Sequence, residues 1–329
     1  MKIDKPIDMK IAVDTYPHTL PLKNGSIPIE GVNADFVKVE PILAAYRRMV
    51  RNVEFDACEL ASTTYFIARA FGAPFKALPI FTKRSFHHGG IVCREDAGIK
   101  TPKDLEGKKV GVRAYSVTTG VWTRGILASE YGLDTDKVTW VIDDEEHVAQ
   151  LQLPSNVMHV PEGESLVSMM ASGKIQAGFT SRAGIGRQGP PKAGWENNPQ
   201  QTPEVYQDLI ENAAQLEKEW FLRTGIYPIH GVLVVKDKLL DENPWLAKSL
   251  YTAFCKAKEP YTAQLKSGEA NTAEDKRIIA LSSFVGDDPI PYGIKANLPS
   301  ITALIDYAFQ QKLIPRRMTV DELFVDPEA

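Results

Sequence analysis

Cysteine is scarce: Cys58, Cys93 and Cys255 are the only three in 329 residues. They are widely spaced and odd in number, which argues against a disulfide framework. No apolar run approaches the roughly 20 residues needed to span a bilayer. No P-loop, Gly-rich dinucleotide fingerprint, nucleophile elbow or zinc-type ligand spacing is present. Nucleotide-dependent, serine-hydrolase and metal-centred chemistry therefore lack their usual sequence support. With a net charge of −4 and no block of like charges, nothing marks a nucleic-acid surface. The first residues, Met1 to Asp8, are polar and lack the apolar core of a secretory signal, so a cytoplasmic location is expected.

What is present is an ordinary soluble composition, 43% apolar and 24% charged, at a length suited to two domains. Strand-like and helix-like segments alternate, the pattern of parallel sheets with helical crossovers. Strands are expected at Lys10–Asp14, Ala34–Val39, Phe55–Leu60, Phe75–Ile80, Gly89–Cys93, Val138–Ile142, Ile175–Thr180 and Tyr227–Val235. Pro41 opens a helix with Ile42, Tyr46, Met49 and Val50 as its buried stripe. A second helix carries Val121, Trp122, Ile126 and Leu127 on one face and stops at Gly132. A third runs from Ser165 to Ser172 and stops at Gly173. Pro203 is expected to open a long helix through Val205, Leu209, Leu216 and Trp220. Another helix follows Asn243-Pro244, and a last one spans about Pro299 to Lys312. The Gly-, Pro- and Asn-rich stretch 183–201 reads as a loop or lid.

The run Thr101-Pro102-Lys103-Asp104-Leu105-Glu106-Gly107-Lys108-Lys109-Val110-Gly111-Val112 resembles the lobe-entry signature of type II solute-binding proteins. Four further segments extend the likeness in order along the chain: Arg84–His88, Val121–Leu127 with Glu130–Gly132, Thr224–Ile229, and Leu313–Phe324. Together they resemble the 4,5-dihydroxyphthalate decarboxylase family. The resemblance implies a two-lobed α/β periplasmic-binding-protein-like fold with two interlobe crossovers. Lobe one would be 1–86 plus 229–329, and lobe two 87–228. The chain departs from the family pattern at His87, at Gly231 and at Asp143-Asp144-Glu145-Glu146-His147.

In open α/β sheets ligands bind beyond the carboxyl ends of strands. Those ends supply Asp14 and Tyr16, Ser62 and Thr63, Arg113 with Tyr115, Ser116, Thr118 and Thr119, and Arg182. The crossovers supply Arg84, His87, His88 and His230. Helix starts with free N–H groups and a positive dipole end suit carboxylates, and arginine forks match them. A small anion, an aromatic carboxylate by the resemblance, is the expected ligand of the interlobe cleft.

Each feature has a plainer reading. Ser62–Thr64 and Ser116–Thr119 are first of all helix caps. A lone arginine at a strand end is commonly a surface pair, and Arg124 reads as structural. His18 and His159 sit in Pro-containing loops and read as solvated. Asp143–His147 reads as a solvated loop without spaced metal ligands. The three cysteines read as core.

The family likeness implies a cofactor-independent decarboxylase of a hydroxylated, phthalate-type aromatic acid, with His88 as acid/base and His230 as its partner. No metal or other cofactor is expected, no nucleic acid or membrane partner, and self-association is left open. The alternative is a non-catalytic binding protein for a small aromatic anion, a reading that Gly231 favours. A regulator's effector domain has no attached helix-turn-helix segment.

Overall fold

The computed structural model describes residues 5–185 and 206–328. The chain divides into two compact α/β units. One is built from the residues up to Ser85, Phe221–Ala303 and those from Met318 on; the other from Phe86–Trp220 and Leu304–Arg317.

The first unit contains β1 (Ile7–Ala12), β2 (Val32–Phe36), β3 (Ala57–Ala61), β4 (Phe75–Ala77), β5 (Lys83–Arg84) and β12 (Ile229–Lys236). Its sheet runs β2-β1-β3-β12-β4, with β5 paired to β12. β1 lies parallel to β2 and β3, whereas β12 runs antiparallel to β3, β4 and β5. β12 has neighbours on both edges, and its near-continuous apolar run Val232–Val235 is fully buried. The helix Leu246–Ser267 covers this sheet with Leu250, Phe254 and Ala257, which pack with Met9, Ile11, Leu233 and Val235.

The second unit contains β6 (Ile91–Cys93), β7 (Lys109–Val112), β8 (Thr139–Ile142), β9 (Val157–His159), β10 (Ala177–Phe179) and β11 (Gln207–Asp208), in the order β11-β6-β10-β7-β8-β9. β7, β8, β9 and β10 are parallel; β6 runs antiparallel to β10 and β11. The helix Thr118–Tyr131 buries Val121, Trp122, Ile126 and Leu127 completely. Its Gly125 is needed because any Cβ there would overlap the Tyr307 ring. The helix ends where Gly132 turns left-handed at φ 66°. The helix Leu166–Ala171 is held at its start by the Ser165/Ser168 capping box.

Two expectations are corrected. The expected helix start at Pro203 and Val205 lies outside the described residues; from there Gln207–Asp208 is not helical but pairs with β6 as an edge strand, and the helix begins at Ala213. Edge pairing to a strand more than 100 residues away leaves no local signal. The helix expected at about Pro299 to Lys312 is Ile294–Gln310, so Pro299 lies inside it; the turn before the proline, entered at Gly293 (φ 89°), is already helical. The helix Ala273–Val285 was not foreseen, although its capping box, Thr272 with Asp275, is written in the sequence. The expected loop at 183–201 lies outside the described residues from 186 onward. Among the described residues no helix is long and apolar enough to cross a membrane.

Candidate functional site

In the first unit, the chain leaving β1 folds into a tight turn. Thr19 Oγ1 donates to the Asp14 carbonyl (2.8 Å) and accepts from the Tyr16 N–H (2.9 Å). This turn aims Tyr16 at β3, where its hydroxyl donates to Glu59 Oε1 at 2.9 Å. Tyr46 donates to the same oxygen at 3.0 Å, and the Asp14 N–H to Oε2 at 3.2 Å. Glu59 is only 1% exposed. Burial pushes its carboxyl above the usual carboxylate range despite the three donors, and pushes both tyrosine hydroxyls up as well. Sequence reasoning passed over Glu59; its signal was an acid set between Cys58 and Leu60 in an apolar stretch of strand.

His18 is the clearest correction. It is 4% exposed, not solvated, and its Nε2 lies 3.0 Å from the Thr82 carbonyl, which fixes the proton on that nitrogen. The ring stacks on Tyr16 (centroids 5.1 Å apart, planes 3° apart) and on Tyr261 (6.1 Å, 27°). Burial lowers its pKa to about 4. His159, by contrast, is exposed as expected.

Arg84 is 4% exposed. Its guanidinium donates to the carbonyls of Tyr227 (2.7 Å) and Pro291 (3.0 Å) and to Asn297 Oδ1, and lies against the Tyr227 and Phe81 rings. These partners are all neutral, and burial lowers its pKa to about 10. A cavity of about 390 Å³ opens here, lined by the rings of Tyr16, His18, Tyr227 and Tyr261, by Lys83, Arg84 and Arg277, and by Glu274. Arg277 and Glu274 are joined by two hydrogen bonds of 2.8 and 2.6 Å. The cationic character of the cavity therefore rests on Lys83 and Arg84.

Ser62 and Thr63 are fully buried. The expectation that they cap a helix fails: β3 runs straight into the helix Ser62–Ala70, Ala61 takes the N-cap position, and no side chain caps it. His230 is half-buried on β12, at the register irregularity between Ile229 and Gly231 where that strand meets Lys83–Arg84. Gly231 has no room for a side chain, since a Cβ would overlap Thr82 Oγ1 and crowd Glu59 Oε1.

In the second unit, His88 is 3% exposed, edge-on to the Trp220 ring at 5.1 Å, and burial lowers its pKa to about 4. His87 is buried too, and its carbonyl accepts from Thr123 Oγ1 at 3.1 Å. Asp143–His147 is not a solvated loop: Asp143 and Asp144 are buried, and their N–H groups donate to the Arg113 carbonyl at 3.2 and 2.9 Å. Asp144 also accepts from Arg113 Nη1 at 3.2 Å in a buried ion pair. Glu146 accepts from the Tyr115 N–H (2.7 Å) and from both the N–H and hydroxyl of Ser116. Ser116–Thr119 do not cap with side chains; Val117 is the N-cap of the following helix. Thr118 is buried and Thr119 half-buried, its carbonyl accepting from Thr123 Oγ1 at 2.8 Å. Arg124 is structural, as expected, donating to Gln311 and lying 4.0 Å over the Tyr115 ring. Arg182 is exposed on a short turn after β10.

The sequence candidates thus form separate groups. Asp14 and Tyr16 meet through Glu59, Arg84 joins Tyr16 at the cavity, and Arg113, Tyr115 and Ser116 are gathered by the acidic loop. Among the described residues no three His, Cys, Asp or Glu side chains are grouped to hold a metal ion.

These two sheets define a periplasmic-binding-protein-like fold. The alkanesulfonate-binding protein SsuA of Xanthomonas axonopodis pv. citri, solved with MOPS bound, matches with a TM-score of 0.53 at 12% identity, covering 98% of this chain and 99% of its own. The aliphatic sulphonate-binding protein of Escherichia coli also matches at 0.53 and 12% identity, over 97% and 98%. Residues 44–153 match the NMT1/THI5-like family model. A 4,5-dihydroxyphthalate decarboxylase of Comamonas testosteroni is 29% identical over 97% of this chain and 96% of its own length. One of Pseudomonas putida is 36% identical over 54% of this chain and 71% of its own. The chain belongs to the 4,5-dihydroxyphthalate decarboxylase family.

Proposed function

We propose that this protein is a cofactor-independent decarboxylase of a hydroxylated aromatic dicarboxylate of the phthalate type, acting in the cytoplasm in aromatic acid breakdown. The observation that carries the reading is the first unit's cavity, whose aromatic lining and buried Arg84 match a planar ring bearing carboxylates. Its volume of about 390 Å³ is within the range of small-molecule sites. The relatives' common name supplies the reaction.

Such a reaction needs no electron sink beyond the substrate. Deprotonating a ring hydroxyl pushes electrons toward the carbon that bears the carboxylate. That carbon takes a proton, and the bond to the carboxylate then breaks as carbon dioxide leaves. His88 and His230 are the proposed proton-handling residues. With its pKa lowered to about 4, His88 is neutral near pH 7 and carries no surplus proton to give. Lys83 and Arg84 supply charge for the carboxylates, because Arg113 already neutralises Asp144.

The experiment compares 4,5-dihydroxyphthalate with phthalate, which lacks the ring hydroxyls. Both should bind, and only the hydroxylated acid should lose carbon dioxide. Binding of both with no product on long incubation would establish the non-catalytic alternative.

A further inference from the structure

The reaction consumes a proton at every turnover, so the cavity needs a group that gives one and is refilled. We infer that Tyr16 and Glu59 form this delivery path, Tyr16 handing its hydroxyl proton to the ring carbon and Glu59, behind it, restoring that proton. Tyr16 is the catalytic residue of the pair, and Glu59 is a positioning residue that acts through it. The inference rests on the decarboxylase reading.

The geometry is confined to the first unit. Tyr16 lines the cavity, and its hydroxyl lies 2.9 Å from a carboxyl that is 1% exposed. The partners of Glu59 are two tyrosine hydroxyls and one backbone N–H, all uncharged. Among the described residues no cation touches this carboxylate to offset its lost hydration, so the protonated form is favoured. Hydroxyl and carboxyl can each donate or accept, so the 2.9 Å contact carries a proton in either direction.

The step balances. The Tyr16 O–H bond breaks and a C–H bond forms at the ring carbon. The bond to the carboxylate breaks, its electron pair returns to the ring, and carbon dioxide leaves. The Glu59 carboxyl proton moves to the Tyr16 oxygen, and Glu59 then takes a proton from water. Without the refill Tyr16 would be left as phenolate beside Glu59 and Asp14, where burial and like charge oppose it. The titratable groups facing the pair are Tyr46 from the helix Leu43–Asn52, Asp14 and Lys23 after β1, Cys58 on the same strand, Tyr292 after the helix Ala273–Val285, and His18 stacked on Tyr16.

The test is the kinetics and pH profile of Glu59→Gln and Tyr16→Phe on 4,5-dihydroxyphthalate, with phthalate binding measured by calorimetry. The amide oxygen in Glu59→Gln can still accept from the Tyr16 and Tyr46 hydroxyls, while its NH2 loses the Asp14 N–H contact and cannot supply the proton. Its kcat is expected to fall about 10²–10⁴-fold, with phthalate affinity within twofold of wild type and the pH profile altered. Tyr16→Phe should fall comparably, and the double variant no further. A Glu59→Gln protein with wild-type kcat and pH profile, or a loss confined to KM, overturns the inference. Should Glu59→Gln fail to fold, Tyr16→Phe decides: unchanged kcat overturns it. A wild type that decarboxylates no hydroxylated aromatic acid overturns the functional reading and the path with it, whereas an active wild type with indifferent variants overturns the path alone.

Discussion

Ser116 and Glu146 hold each other: the Ser116 N–H and hydroxyl both donate to the Glu146 carboxylate, and the adjacent Tyr115 N–H joins them at 2.7 Å. The backbone donors ahead of the helix Thr118–Tyr131, which in sequence look free for a ligand's carboxylate, are answered by a carboxylate of the chain itself. Glu146→Ala leaves two buried or part-buried N–H groups without that acceptor and should destabilise the fold by about 1–3 kcal/mol. Urea unfolding checks this; an unchanged midpoint would show the contacts contribute nothing.

The ion pair of Arg113 and Asp144 has side-chain exposures of 9% and 2%. Breaking a buried pair from one side leaves an uncompensated charge, so Arg113→Met should cost about 3–5 kcal/mol. Arg113→Met combined with Asp144→Leu should recover part of that loss. Chemical denaturation of the two single variants and the double variant measures the coupling directly.

Stability should fall on mild acidification. His18 and His88 have folded pKa values lowered to about 4, while the unfolded chain titrates near 6.5. Between those values the unfolded state binds protons that the folded state refuses. Their contribution is therefore fully present above pH 6.5 and is lost as pH falls toward 4, by about 3 kcal/mol per histidine at most. Glu59, raised rather than lowered, acts with the opposite sign, its contribution fading as pH climbs through its folded value. Unfolding free energies from pH 7 to 4.5 check this, and His88→Gln should flatten the slope.

Lys83 lies on the cavity wall yet is exposed. Reversing its charge should leave folding within about 0.5 kcal/mol of wild type. Affinity for an aromatic dicarboxylate should drop about tenfold, a difference of about 1.4 kcal/mol. Calorimetric titration of Lys83→Glu with phthalate checks both the cavity and its sign of charge.

The α/β alternation was legible because each buried strand carries an apolar run and several helices carry their own stops, as Ser165 and Gly132 show. The resemblance located the family from segments spread along the chain. Other features depend on distant partners and leave no local trace. His18 sits in a Pro-containing turn that reads as surface, and the Thr82 carbonyl and the Tyr261 ring that help enclose it are distant in sequence. Asp143–Glu146 reads as a solvated acidic run until Arg113 and the Ser116 N–H meet it. Ser62–Thr63 look like caps because the sequence does not reveal that the helix begins one residue after the strand ends.

The central claim is tested most directly by incubating the purified protein with carboxyl-labelled 4,5-dihydroxyphthalate, no metal or cofactor added, and following released carbon dioxide beside the aromatic product. The account predicts one labelled carbon dioxide per 3,4-dihydroxybenzoate formed, over many turnovers, at a rate unaffected by chelator. Tight binding with all label retained in the starting acid would contradict it.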